Sequence, residues 1–165
     1  MLIDRDSKLW LYLPPELQGL VEDGEVLVDT IYPQQELRDV SVFSFLVFSF
    51  AKAYEGFLKR LFFDLKMISH DDYYGDEIRI GKILNPNYTK KKGNVFMKLC
   101  ARKGVSKDLP TELWKMWHRG RNRVFHYFPR NFRKLSYEEA VNIVRDFVAV
   151  MHKAVEVCDS SVDKE

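Results

Sequence analysis

The chain has 165 residues, 46% of them hydrophobic and 30% charged, which is the composition of a folded domain and not of a disordered tail. Its formal net charge is only +2, which excludes a generally basic nucleic-acid coat and leaves any anion-binding surface to local clustering. The cysteines, Cys100 and Cys158, lack metal-ligand spacing and are read as buried, reduced thiols of a cytoplasmic protein.

The N-terminal MLIDRDSKLWLYLPPE carries acids early and no uninterrupted apolar run, so no signal peptide is expected. PPELQGLVEDGEVLVDTIYP opens with prolines suited to a first helical turn, and Gly24 is a candidate end for that helix. Residues 1–34 are read as an N-terminal extension. From 35 to 67, Leu37, Val40, Phe43, Val47, Phe50, Tyr54, Phe57, Leu61 and Leu65 recur at spacings of three and four, which predicts one long helix with a buried stripe. Its most apolar part, SVFSFLVFSFA, falls short of the roughly 20 apolar residues of a membrane span, so no membrane partner is expected.

SHDDYYGDEIRIGKILNPNYTKKKG is rich in Asp, Gly, Asn and Pro and reads as a loop holding a short helix near 80–84. His70, Asp71 and Asp72 are assigned a capping or loop role in preference to a metal site, and Lys90, Lys91 and Lys92 a solvated one. Asn94 is expected to cap a helix ending on Gly104, Thr111 to cap the next, and Pro129 to stop it. Ser136 and Glu139 have the spacing of a capping box, with helical periodicity through Val157 and a disordered tail over 158–165. No run of alternating strands appears. The expectation is a single all-α domain whose helical core covers 35–157.

HRGRNRVFHYFPRNFRK, residues 118–134, crowds arginines, histidines and aromatic rings together. At 100° per residue, Asn122 and His126 share a face and Arg119 falls on it too. Arg121 lies about 140° round from His126, so it needs its long side chain, or a distortion at Gly120, to converge on the imidazole. Leu113, Trp117, Val124 and Phe128 form an opposite, anchoring stripe. A histidine for proton transfer beside a guanidinium that neutralises phosphoryl oxygens suits phosphodiester cleavage. With RNA the 2′-hydroxyl supplies the nucleophile, and the sequence holds no HExxH and no Gly-rich phosphate loop, so neither metal nor cofactor is expected. On composition alone, a structural or simple phosphate-binding role is the stronger reading.

RNRVFH, residues 121–126, resembles the Arg-x4–6-His motif of the HEPN-domain ribonucleases, in which a polar residue commonly follows the arginine as Asn122 does. AKAYEGFLKRLF, residues 51–62, is similar to a helix of RNase LS-type toxins. There Glu55 matches the active-site acid, and Gly56, Leu58 and Lys59 match its surroundings. The family's arginine three before the acid is Lys52 here, which keeps the charge but not the bidentate geometry. Independently of the family, Lys52, Glu55 and Lys59 occupy one helix face, where a surface salt-bridge stripe is the competing reading.

The resemblance, covering roughly 35–157, implies an HEPN-like helical bundle acting as a homodimer with a composite cleft. It implies a metal-independent endoribonuclease, a toxin or antiphage effector with a possible cognate antitoxin. His126 would transfer protons, Arg121 would stabilise the transition state and Asn122 would orient His126, with Glu55 and Lys52 completing the site. Arg119, Arg123, Lys59, Arg130 and Arg133 would hold the RNA backbone, and Tyr127 or Phe132 would stack on bases. Family members modified by nucleotidyltransferases carry Tyr two after the histidine. That position is Phe128 here, so regulation by tyrosine nucleotidylation is not expected. The rival expectations are a non-catalytic HEPN module that binds RNA or protein, and a dimeric scaffold built on the aromatic-rich helix.

Overall fold

A computed structural model describes residues 1–31, 40–88, 94–127, 129 and 134–162, the side chains through 158. The fold is all-α, with no strand among the described residues. Its helices are α1 (Lys8–Tyr12), α2 (Pro15–Ile31), α3 (Phe45–Asp64), α4 (His70–Tyr74), α5 (Ile80–Ile83), α6 (Val95–Ala101), α7 (Leu109–Met116), α8 (Arg123–Phe125) and α9 (Tyr137–Val162). Between α7 and α8 the chain runs as a π-helix over Trp117–Asn122.

Helix α3 is the central element, packed between α2 and α9. Leu46, Phe50, Tyr54, Phe57, Leu58 and Phe62 are all fully buried on it. Each large apolar side chain so removed from water contributes about 1.5–3 kcal/mol before entropy is charged against it. The predicted start of this helix is corrected. Residues 40–43 are not helical, and the Phe43 N–H donates to the Leu135 carbonyl at 2.9 Å, so Phe43 reaches the core from a connecting segment. Positions 35–39 lie outside the described residues.

Three further boundaries differ for physical reasons. Gly24 does not end α2 but sits buried within it, where a Cβ would stand 2.4 Å from the Phe50 ring. The N-terminal 31 residues are no appendage, because Ile3, Leu9, Leu13, Val21 and Val28 belong to the same core as α3 and α9. At the other end, α9 continues to Val162 with Cys158 buried, so 158–162 is helical, while 163–165 lie outside the described residues.

Local signals explain several termini. Ser136 and Glu139 form their reciprocal bonds at 3.1 and 3.0 Å ahead of α9. Asn94 caps α6 by accepting from the Met97 N–H, but α6 stops at Ala101, ahead of Gly104. Helix α7 begins at Leu109 with Pro110 in its first turn, so Thr111 lies inside it. His70–Tyr74 forms a helix that the loop reading lacked, with Ser69 and Asp72 as its capping box. Cys100 is exposed, contrary to expectation. No helix among the described residues is long and apolar enough to cross a membrane.

Helix α3 ends in a Schellman turn. Met67 N–H donates to Phe62 O at 2.8 Å and Lys66 N–H to Phe63 O at 2.9 Å, with Lys66 left-handed at φ 56°.

Candidate functional site

The buried Tyr54 ties α3 to α7, donating from its hydroxyl to the Leu113 carbonyl at 3.0 Å. One position further along α3, Glu55 faces the π segment. Arg121 Nε and a terminal Nη both lie 3.1 Å from the same Glu55 oxygen, across 66 positions of sequence. The guanidinium carbon also sits 4.7 Å from the centre of the Trp117 ring, one turn back. Trp117 is itself buried, and a Cβ at Gly81 of α5 would stand 2.4 Å from its Nε1. Arg121 is therefore held by a carboxylate on α3 and an aromatic platform braced by α5.

Around this pair is an open cleft of about 710 Å³, lined by Lys52, Glu55, Gly56 and Lys59 of α3, by Arg121, and by Ile78, Arg79 and Ile80 at the entry to α5. Glu16, Leu17 and Leu20 of α2 and Asp76 close its sides. Helix α2 approaches closely because position 56 lacks a side chain: a Cβ there would stand 2.5 Å from Leu17. Lys59 is oriented by donating to the Gly75 carbonyl at 2.8 Å, and Arg79 by donating to the Asp76 carbonyl at 2.5 Å. Four cations thus meet three carboxylates, one of them committed to Arg121. Such a site attracts an anion and retains an acid–base group beside it.

The π segment sends the two arginines in different directions. Its i→i+5 bonding, closed by Arg123 N–H to His118 O, removes the 100° step on which the pairing of Arg119 with His126 depends. Arg119 points the other way, into an ion pair with Asp146 of α9, and with His118 and Arg123 lines a separate cleft of about 490 Å³. Gly120 lies between the two directions, buried where a Cβ would stand 2.3 Å from Met116 Cε and 2.4 Å from Phe147 Cζ.

Of the predicted site residues, Lys52, Glu55, Lys59 and Arg121 share one cleft, while Arg119 and Arg123 line another. His126 is exposed at the end of α8 and is not among the residues lining either cleft. Asn122 meets it through the backbone, its carbonyl accepting from the His126 N–H at 3.1 Å. Tyr127 is exposed, and Phe125 packs edge-to-face on Phe48 of α3 at 6.0 Å. Phe128, Arg130, Phe132 and Arg133, like Lys90, Lys91 and Lys92, lie outside the described residues.

Sequence reasoning missed Trp117 as a support for Arg121, having placed it on the anchoring stripe, and missed Arg79 altogether. The only signal for Arg79 is a lone cation set between Ile78 and Ile80. No group that could hold a metal ion, three or more of His, Cys, Asp and Glu together, occurs among the described residues. In comparisons with protein-family models, curated proteins and solved structures, nothing matches this chain.

Proposed function

We propose that the protein is a metal-independent endoribonuclease of HEPN type, acting as a homodimer in the manner of a toxin or antiphage effector. The observation that carries the reading is the contact of Arg121 with Glu55 in a cleft shared with Lys52 and Lys59. Two short segments picked out for a resemblance, 66 positions apart, meet in space. A surface salt-bridge stripe on α3 would require no partner from the π segment.

The reaction follows from the groups present. A base removes the proton of the ribose 2′-hydroxyl, whose oxygen attacks the adjacent phosphorus. The bond from phosphorus to the 5′-oxygen breaks, and that oxygen takes a proton, leaving a 2′,3′-cyclic phosphate and a 5′-hydroxyl. Arg121 neutralises the charge that builds on the non-bridging oxygens, and Lys52 and Lys59 hold neighbouring phosphates. His126 transfers the protons, reaching the scissile phosphate in the composite cleft of two copies. The exposed Phe48, Phe125 and Tyr127 lie beside the motif, where a second copy would cover them.

A second reading, an RNA-binding module without cleavage, is favoured by one detail: two of the Arg121 donors already converge on Glu55. One experiment separates the two. Purified protein is incubated with labelled RNA in the presence of a chelator, beside His126→Ala and Arg121→Ala. Cleavage to 2′,3′-cyclic ends that both variants abolish supports the enzyme. Binding without cleavage supports the module, and cleavage indifferent to both substitutions overturns the proposed site.

A further inference from the structure

The cleft around Arg121 does not stop at α5. Ile78 and Arg79 line it and also line a second open cleft of about 730 Å³, formed by the end of α3, the loop before α4, α5 and α6. Arg79 stands on the wall of both. Beyond it the wall carries Lys66, Lys82 and Lys98 against Asp72 and Glu77, and the Asp72 carboxylate is occupied as the α4 cap by the Ser69 N–H and hydroxyl. Apart from the shared Arg79, the outer half carries three cations against two carboxylates, with Lys98 donating to the Met67 carbonyl at 2.8 Å, and the inner half three cations against three carboxylates.

Three features indicate a built surface and not a chance gathering of lysines. Tyr88 is fixed by its backbone: its N–H donates to Asn85 O at 3.0 Å and its carbonyl accepts from Asn94 Nδ2 at 2.7 Å. The same buried Asn94 amide donates to Asn85 O at 3.0 Å while its oxygen caps α6, so one residue holds the loop that presents the ring. Lys82 lies over one face of that half-buried ring, its ammonium 5.2 Å from the centre, so the cation and the ring form one unit on the groove wall. Finally, Lys66 is the one non-glycine residue with positive φ among those described, at a helix C′ position where glycine carries no steric penalty. The side chain of this left-handed lysine lies on the wall of the groove.

We propose that the groove from Arg121 past Arg79 to Lys66, Lys82 and Tyr88 is a continuous track for single-stranded RNA, seating nucleotides beyond the scissile bond. This rests on the ribonuclease reading for the identity of its ligand. A strand is required because a flexible backbone can follow a groove that bends around α5, and because an unpaired base can leave its neighbours to stack on Tyr88. Phosphates meet Lys82, Lys66 and Lys98 in turn.

The test uses 2′-O-methyl oligouridylates, which lack the nucleophile and stay intact, of about 4 and about 12 nucleotides, lengths that bracket single-strand site sizes. Binding is followed by fluorescence anisotropy. Tyr88→Leu, which keeps apolar contact but removes the ring, weakens the longer probe about tenfold, as expected for one lost base stack. Lys82→Ala and Lys66→Gly each weaken it several-fold and flatten its salt dependence, by about 0.7 in the log–log slope. All three leave the short probe unchanged. Lys66→Gly also relieves the left-handed lysine, so its weaker binding comes with a melting temperature no lower than that of the native chain. Three variants that bind the longer probe as the native protein does would overturn the track. Cleavage by the native protein is assayed in parallel: cleavage with unaffected binding leaves the ribonuclease and removes the track. Impaired binding without cleavage leaves the track and removes the ribonuclease. Binding of neither probe removes the track, and with no cleavage either it removes both.

Discussion

Arg121 and Glu55 meet through two guanidinium donors on one carboxylate oxygen, each at 3.1 Å, with both side chains about one-third exposed. An ion pair that open to water contributes no more than about 1 kcal/mol to folding, so its purpose is positional. Arg121→Ala is expected to shift unfolding free energy by less than about 1 kcal/mol while, on the proposed ribonuclease reading, RNA cleavage falls by about 10²–10³-fold, the size of losing one preorganised donor to a transition-state oxyanion. Arg121→Lys keeps the charge but not the fork and should recover little of the rate. Initial cleavage rates and urea denaturation on the same preparations check both halves.

Arg119 provides the contrast. It pairs with Asp146 on the far side of the π segment, with both side chains about half exposed. Arg119→Ala and Asp146→Ala are each expected to change stability by less than about 1 kcal/mol. Cleavage should fall by less than about tenfold, well short of the loss in Arg121→Ala. A loss for Arg119→Ala equal to that for Arg121→Ala would move the proposed catalytic role to the other cleft.

Local signals in the sequence were the most legible. The Ser136–Glu139 capping box and the Asn94 cap each need only a few consecutive residues, and both form as read. The face of α3 carrying Lys52, Glu55 and Lys59 follows from spacing alone. What spacing cannot supply is the partner: nothing in periodicity says that this face meets Arg121, and only the resemblance linked the two segments. The arginine ambiguity arose because a π segment is invisible to a 100° rule, and Arg119 and Arg121 diverge only when the bonding becomes i→i+5. Gly24 was misread for a related reason. A glycine advertises backbone freedom, whereas its use here is the absence of a Cβ against Phe50. Val40 and Phe43 continue the helical spacing of α3 without being helical, since a connecting segment can also turn an apolar ring inward.

The platform under Arg121 can be disturbed without touching the arginine. A Cβ at Gly81 would lie 2.4 Å from Trp117 Nε1, and Trp117 is only 3% exposed, so the indole must move and carry its contact with Arg121 along. Gly81→Ala is expected to destabilise by about 1–3 kcal/mol, as overpacking does. Cleavage should fall beyond what the loss of folded protein explains. Adding Trp117→Phe makes room for the methyl and should recover part of the stability, but not the rate, since the larger platform is gone. Denaturation midpoints and rates for the single and double variants decide it.

Glu25, which is not among the residues lining the Arg121 cleft, is expected to make the fold pH-dependent. It is 7% exposed on α2 and accepts from the Ile3 N–H at 3.1 Å and from Arg5 at 2.7 Å, with the Leu2 N–H at 2.5 Å on the same carboxylate oxygen as Ile3. Burial alone would raise its pKa, but the Leu2 N–H, the Arg5 guanidinium and the Ile3 N–H together outweigh burial and hold it below the ordinary 4.5. The native state therefore binds this proton less readily than the unfolded chain does. The resulting stabilisation is complete above about pH 4.5 and is lost as pH falls through the depressed native value. Glu25→Gln removes the charge but keeps the shape, and at neutral pH it should cost about 1–3 kcal/mol by weakening three hydrogen bonds to a buried group. Below pH 4.5 the native chain should lose stability more steeply than Glu25→Gln, so the two denaturation curves converge as the pH drops. A gap that stays constant down to pH 3 would mean that Glu25 is not the group that titrates, and would assign the anchoring of the N-terminal segment to packing of Ile3 and Leu9 instead.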